Sequence, residues 1–368
     1  MEYQSNEVRS QRFRRRVTML VGGATLVAMT AGFGLSTASG AATAAHVTKP
    51  VAGRPLPVAN TNHKAFKIYM VASNNNPFWD QVKVGFNTAQ KVLDSYGVKS
   101  TYVDAGASVT SQLIGTGIDT GIAQGANAIA AQLPDNSICY YLNQAKTHHI
   151  VTAGVNGNVS CAQSSGALFF LGQNFIQAGK QDAQLMCKAT ANLASKSKPG
   201  KVGIATESFT FEALVQRTQG FVSGLKQYCP WVTPINAQGV NYASASIALL
   251  TSDVQDFVAS NSNLVGVYVT GGNPDAAARE IGALHKQAKV KVVGFDLTSQ
   301  VIAQIQNGNM YGTVTQDPFG QGYNTMIDLY NYLESGKKPS SSYVVATKDV
   351  VVTKANLKQA VAAQAAGN

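Results

Sequence analysis

From Phe66 onward the chain alternates two hydrophobic patterns. Short unbroken apolar runs, of the kind found in strands buried on both faces, are followed by longer stretches whose apolar positions recur every three or four residues. KIYMVA precedes a helical pattern from Phe78 to Ser95, STYVDA one from Val109 to Gln124, NAIAAQ one from Ile138 to Thr147, and HIVTAG closes the first series. The second series runs through ALFFLG, Phe175 to Ala194, KVGIAT, Phe211 to Tyr228, WVTPINA, Ala245 to Ala259, LVGVYVT, Asp275 to Gln287, VKVVGF and Ser299 to Gln306. Alternation of this sort predicts an α/β architecture of doubly wound parallel sheets, joined by right-handed crossovers. Two series of about 110 to 140 residues each suggest two Rossmann-like lobes joined by a hinge rather than one wide sheet. The tail then carries a long helical pattern, Gly320 to Glu334, and a strand-like run, SYVVATKDVVV, which must return to one lobe or the other. The expected division is residues 66–175 with about 317–346 for the first lobe, and 176–316 with about 347–368 for the second.

The N-terminus follows different rules. RFRRR is succeeded by an uncharged run from Val17 to Leu35 and then by small residues through STASGAATAA, the order of an export signal. Residues 1–45 are therefore expected to be a signal peptide cut near Ala44 or Ala45, and 46–65, rich in Pro, Gly and polar residues, a linker. A membrane anchor is the competing reading, but Gly22, Gly23, Gly32 and Gly34 make the run weakly apolar. No cysteine lies near the cleavage region, so lipidation at a new N-terminal cysteine is not expected. The mature chain should be periplasmic or secreted.

Charge changes the picture little. The formal net charge is +10, of which Arg9, Arg12, Arg14, Arg15 and Arg16 against Glu2 and Glu7 supply three units within the first 48 residues. The remaining lysines are scattered, with no arginine-rich stripe, which argues against nucleic acid as a partner. The four cysteines, Cys139, Cys161, Cys187 and Cys229, all lie in the expected mature part, where oxidising conditions favour disulfides. Proximity along the chain and on neighbouring elements favours Cys139 with Cys161 and Cys187 with Cys229. No CxxC or HxxxH spacing is present and His148 and His149 are adjacent, so neither a metal site nor a cofactor is expected.

Chemistry gathers at the ends of the apolar runs. In doubly wound sheets ligands sit beyond the carboxyl ends of the strands, and there this chain places SNNNPFW (Ser73 to Trp79), Gln132, Asn156, Gln173 with Asn174, Glu207, Asn273, Asp296 and Gln316. Amides, few charges and flat rings suit a sugar, whose hydroxyl rim needs paired donors and acceptors and whose faces accept aromatic rings. Glu207 reads rather as a cleft rim or a helix cap. Catalysis is not expected: GxSxG, HExxH and Walker patterns are absent. The GTGIDTG run at Gly115 to Gly121 lies in a helical pattern rather than after a strand, so it is no phosphate loop.

Four of these stretches together resemble the sugar-binding proteins of bacterial ABC importers, the ribose-binding type of periplasmic protein. NNPFW at Asn75 to Trp79, RTQGF at Arg217 to Phe221, VVGFD at Val292 to Asp296 and the glutamine ending TVTQ at Gln316 stand in that family's order. The resemblance spans about Phe66 to Val352. It implies a type I periplasmic binding protein fold, ligand contacts from Asn76, Phe78 and Trp79 in the first lobe, and from Arg217, Asp296 and Gln316 in the second lobe and hinge. Asn174 falls where the first crossover would begin. The chain departs from the family after its fourth strand, where Ala153-Gly154-Val155-Asn156 lacks the usual carboxylate. Gln132 stands where asparagine is common, and Asn273 is shifted behind Gly272. A polyol or sugar derivative is thus as compatible as an aldose. The expected partners are a small carbohydrate or polyol and an ABC transporter membrane permease, with the protein a monomer. A chemoreceptor or sensor kinase receiving a nucleoside or signalling molecule is the alternative.

Overall fold

A computed structural model describes residues 49–61, 63–243 and 246–367; the expected signal peptide lies outside them. In chain order the elements are β1 (Phe66–Ala72), α1 (Phe78–Leu93), β2 (Val98–Asp104), α2 (Ser111–Ala123), β3 (Ala128–Gln132), α3 (Ile138–Thr147), β4 (Val151–Val155) and β5 (Ala167–Gly172). There follow α4 (Phe175–Ala189), β6 (Gly200–Thr206), α5 (Glu212–Tyr228), β7 (Val232–Pro234), β8 (Val240–Asn241), α6 (Ile247–Ser260), β9 (Leu264–Val269), α7 (Pro274–Ala283) and β10 (Lys291–Phe295). The chain ends with α8 (Ser299–Asn307), β11 (Gly312–Thr315), α9 (Pro318–Ser335), β12 (Val344–Ala346), β13 (Val350–Thr353) and α10 (Leu357–Ala365). Among the described residues no helix is long and apolar enough to cross a membrane.

The expected α/β class is what forms. One sheet has the order β12-β5-β4-β3-β1-β2 and the other β13-β11-β10-β9-β6-β7, with β8 also pairing β6. Every pairing is parallel except that of β13 with β11. Three connections pass between the sheets: β5 to α4 at Gln173-Asn174, β11 to α9 at Gln316-Asp317, and β12 to β13 at Thr347 to Asp349. WVTPINA, read as one strand, is reduced to the three residues of β7 at a sheet edge. Pro234, which has no N–H to donate, is tolerated because the bond to β6 is made by the next residue, Ile235 N–H donating to the Val202 carbonyl at 2.9 Å.

Each lobe packs its helices in the same way. In the first, α1 and α9 cross so closely that a Cβ on Gly85 would strike the Phe319 carbonyl and one on Gly322 the Val82 carbonyl. In the second, α4 and α5 cross at Gly179 against Arg217 and Gly220 against Ile176. Glycine is required at these four points because the backbones touch. Gly117 and Gly121 of the GTGIDTG run face side chains instead: added Cβ atoms would collide with the Val71 and Ile129 side chains of the sheet beneath.

Each lobe also carries one disulfide, Cys139–Cys161 and Cys187–Cys229, the pairing that sequence proximity favours. The stretch expected as a linker lies along α9. Val58 N–H donates to Asn331 Oδ1 at 2.8 Å, Tyr330 Oη donates to the Val58 carbonyl at 3.1 Å, and Thr61 N–H reaches Glu334 at 3.0 Å. Arg54 closes this strap, pairing with Asp317 at the second crossover and donating to the Gly367 carbonyl behind α10.

Candidate functional site

The two lobes face each other across a cavity of about 340 Å³, part of it open to solvent, lined from the first lobe by Asn75, Asn76, Phe78, Trp79, Gln132 and Asn156 and from the second by Glu207, Arg217, Gly272 and Asp296. Gln316 lines it from the hinge. All but Arg217, which reaches in from the second turn of α5, lie at or just beyond the carboxyl ends of their strands, as the doubly wound fold demands. Backbone conformation aims several of them. Asn156 and Asp296 adopt left-handed φ values of 49° and 69°, a region that Asn and Asp tolerate better than other side chains. The chain thus turns sharply off β4 and β10 and presents those side chains to the cavity instead of the core.

The first lobe's contribution is neutral. Asn76 Oδ1 accepts the Phe78 N–H at 3.0 Å and fixes the start of α1. Phe78 and Trp79 meet edge to face, 5.1 Å apart at 87°, and both are buried against the lobe core while lining the cavity. Gln132 is fully buried; its Oε1 accepts the Ser73 N–H at 3.0 Å, and its Nε2 has no partner within the protein. A buried amide donor left unpaired costs about 1 to 3 kcal/mol, and this one lies in the cavity lining.

The second lobe supplies charge. Arg217 packs 3.7 Å from the centre of the Phe295 ring and donates through Nε and Nη2 to Gln173 Oε1 and through Nη1 to the Thr270 carbonyl. A guanidinium has five N–H groups, so two remain. Asp296 Oδ1 accepts from Gln316 Nε2 at 2.8 Å, and Gln316 Oε1 in turn accepts from Asn156 Nδ2 at 3.1 Å. Burial pushes the Asp296 carboxyl above its ordinary range, while Arg217 and Gln316 pull the other way.

Glu207 belongs to this set more fully than its sequence context shows. It does not cap α5; its carboxylate accepts from the Gly272 N–H and from Tyr242 Oη on its own lobe and from Asn75 Nδ2 at 3.0 Å across the cleft. Burial raises its pKa, offset in part by the Gly272 and Tyr242 bonds. The signal for it was its place directly after β6. With Asn156–Gln316 and a backbone bond from Glu212 N–H to the Pro134 carbonyl at 3.0 Å, it holds the cleft closed. Asn174 and Asn273 stand outside the cavity lining: Asn174 caps α4 by accepting the Gln177 N–H, and Asn273 takes a left-handed turn at the start of α7.

A wider space of about 1530 Å³, open to solvent, lies on the hinge side beside α10. Its polar groups are largely consumed by the protein itself, Arg54 by Asp317 and Gly367, Gln364 by Gln81 and the Leu297 carbonyl. Among the described residues no cluster of His, Cys, Asp and Glu could hold a metal ion.

A family model described as a periplasmic binding protein domain matches residues 68–338. The chain belongs to this family of periplasmic binding proteins. No curated protein sequence matches it, but solved structures do. A carbohydrate transporter solute-binding protein from Agrobacterium radiobacter, in complex with D-arabinose, superposes with a TM-score of 0.71 at 22% identity, covering 83% of this chain and 99% of its own. A solute-binding protein from Agrobacterium vitis bound to α-D-tagatopyranose gives 0.70 at 18%, over 81% and 98%. A carbohydrate transporter from Acidothermus cellulolyticus in complex with myo-inositol gives 0.66 at 19%, over 83% and 100%. These likenesses place the periplasmic binding protein described here in the type I fold.

Proposed function

We propose that the chain is an exported solute-binding protein that captures a small sugar or sugar-like polyol between its lobes and delivers it to an ABC transporter permease. The observation that carries this reading is the unpaired Nε2 of the fully buried Gln132 in a cavity whose polar lining is otherwise Asn, Gln, Asp, Glu and Arg, with Phe78 and Trp79 beside it. Such a lining pairs donors and acceptors with vicinal hydroxyls and offers flat apolar surface to a ring face. Similar structures were solved with D-arabinose, tagatopyranose and myo-inositol, which supports the same class of solute.

The mechanism is closure. A solute touching Asp296 and Arg217 on one lobe and Gln132 and Asn76 on the other makes all its bonds only when the lobes meet, so binding favours the closed form. A solute that lacks matching hydroxyls leaves buried amides unmet and is rejected. The basic, then apolar, then small-residue order of residues 1–45 supports export, and the protein would act as a monomer. Thermal shift of the chain from His46 onward against pentoses, hexoses, polyols, amino sugars and nucleosides, with Asp296→Ala alongside, tests this. A shift of several degrees for a sugar or polyol, lost in the variant, is expected. A shift for nucleosides alone would remove the carbohydrate assignment.

A further inference from the structure

Gln173 does not line the cavity, yet it touches everything that a closing motion must move. It is almost fully buried in the first crossover. Its Oε1 accepts two bonds from Arg217, Nε at 3.0 Å and Nη2 at 2.8 Å. Its Nε2 donates to Asp349 Oδ1 at 3.0 Å, in the third crossover, and to the Thr315 carbonyl at 3.4 Å, beside the second. A backbone bond from Thr347 N–H to the Gly172 carbonyl at 2.8 Å runs parallel to it. One amide therefore ties the three connections between the lobes to the guanidinium that faces the solute.

An amide suits this place. Arg217 and Asp349 require an acceptor on one side and a donor on the other, which a carboxylate or a hydrocarbon cannot supply together. Of the other constraints on Arg217, the Thr270 carbonyl and the Phe295 face come from its own lobe, and the Phe175 ring, 5.6 Å from the guanidinium, stands at the start of α4 just past the first crossover. Among its hydrogen bonds, those to Gln173 alone relate its position to the hinge.

We propose that Gln173 is a positioning residue that couples the Arg217 guanidinium to the three crossovers, so that solute contact with Arg217 biases the hinge toward closure. This rests on the cleft being the solute site. Coupling of this kind is reciprocal: the hinge state that Gln173 favours also sets how well Arg217 is placed for the solute.

The test has one arm without solute and one with it. In small-angle X-ray scattering of the purified protein without solute, Gln173→Met is expected to enlarge the radius of gyration, because the crossovers lose their common tie; an unchanged radius overturns the proposal. In calorimetry with the sugar or polyol that stabilises the wild type, Gln173→Met is expected to weaken binding about tenfold or more. In an Arg217→Lys background the same change is expected to add less than about twofold, since neighbours acting through one group are not additive. Fully additive losses would mean that Gln173 acts independently of Arg217 and would overturn the coupling. Should the methionine variant not fold, Gln173→Glu keeps the acceptor for Arg217 and loses the donor to Asp349. It is expected to show the enlarged radius with a smaller loss of affinity, and an unchanged radius is again contrary. If the wild type binds no member of the panel, the cleft reading fails, and the scattering arm still decides whether Gln173 ties the hinge.

Discussion

The two lobes are built alike and contribute unlike chemistry. Each is a sheet flanked by helices, parallel but for the β13 edge of the second, with one glycine-mediated helix crossing and one disulfide. Yet the polar side chains that the first lobe offers the cleft are amides, whereas the second offers two carboxylates and an arginine. Charge-assisted hydrogen bonds are roughly twice as strong as neutral ones. The second lobe should therefore hold a solute first and most firmly, and the first should decide which solute permits closure.

The largest effects expected test the likeness rather than the difference. The disulfides span 22 and 42 residues, and closing loops of that size removes about 3 to 4 kcal/mol of unfolded-state entropy each. Cys139→Ser/Cys161→Ser and Cys187→Ser/Cys229→Ser should each lower the denaturation midpoint substantially and by similar amounts. A loss confined to one pair, followed by chemical denaturation, would show that the lobes are not equivalently stapled.

Next is the difference itself. Asp296→Ala removes a buried carboxylate that the solute would share with Gln316, and should cost about 2 to 3 kcal/mol of binding, near a hundredfold in Kd by calorimetry. Gln132→Leu removes a neutral contact from the opposite lobe and should cost about tenfold, with greater loss of discrimination among epimers than of affinity for the best one. Equal losses in the two variants would erase the distinction between a gripping lobe and a reading lobe.

The smallest effect concerns stability alone. Burial raises Asp328 on α9 to about 7 and Asp349 at the third crossover to about 6, from an ordinary value of 3.8. Between the unfolded and folded values the native state binds protons that the unfolded chain releases, so stability falls as pH rises from about 4 through 7. The Tm should be higher at pH 5 than at pH 8 as far as these groups decide it. Asp328→Asn should flatten that slope, and a slope left intact would place its origin elsewhere.

The fold was legible because burial on both faces makes strands into solid apolar runs and helices into periodic ones, so alternation alone announces the architecture. Legibility failed where a single run serves two structures. SYVVATKDVVV reads as one strand, but Thr347 to Asp349 interrupt it to cross between lobes, and no local pattern distinguishes a crossing from a loop. The strap from Lys49 to Thr61 is without period because its partners are side chains of α9, remote in sequence.

In the site, Asn156 and Asp296 were visible as polar strand ends, and their left-handed turns explain why those residue types stand there. Glu207 and Gln173 sit at strand ends too, but their importance lies in partners 65 and 44 residues away, Gly272 and Arg217. Asp182 gave no sign at all. It is an acid in the middle of a helical pattern, and only the fold reveals that it is fully buried, with both oxygens unpartnered and its pKa raised by that burial despite Arg217 nearby.

The central claim is that a single solute is held in the cleft between a charged and a neutral lobe. Calorimetric titration of the wild type and of Asp296→Asn with the sugar or polyol that stabilises the protein tests it most directly. The account predicts one site per chain in the wild type and a loss near a hundredfold in the variant at unchanged thermal stability without solute. Equal affinity in both proteins would put the solute outside this cleft and contradict the account.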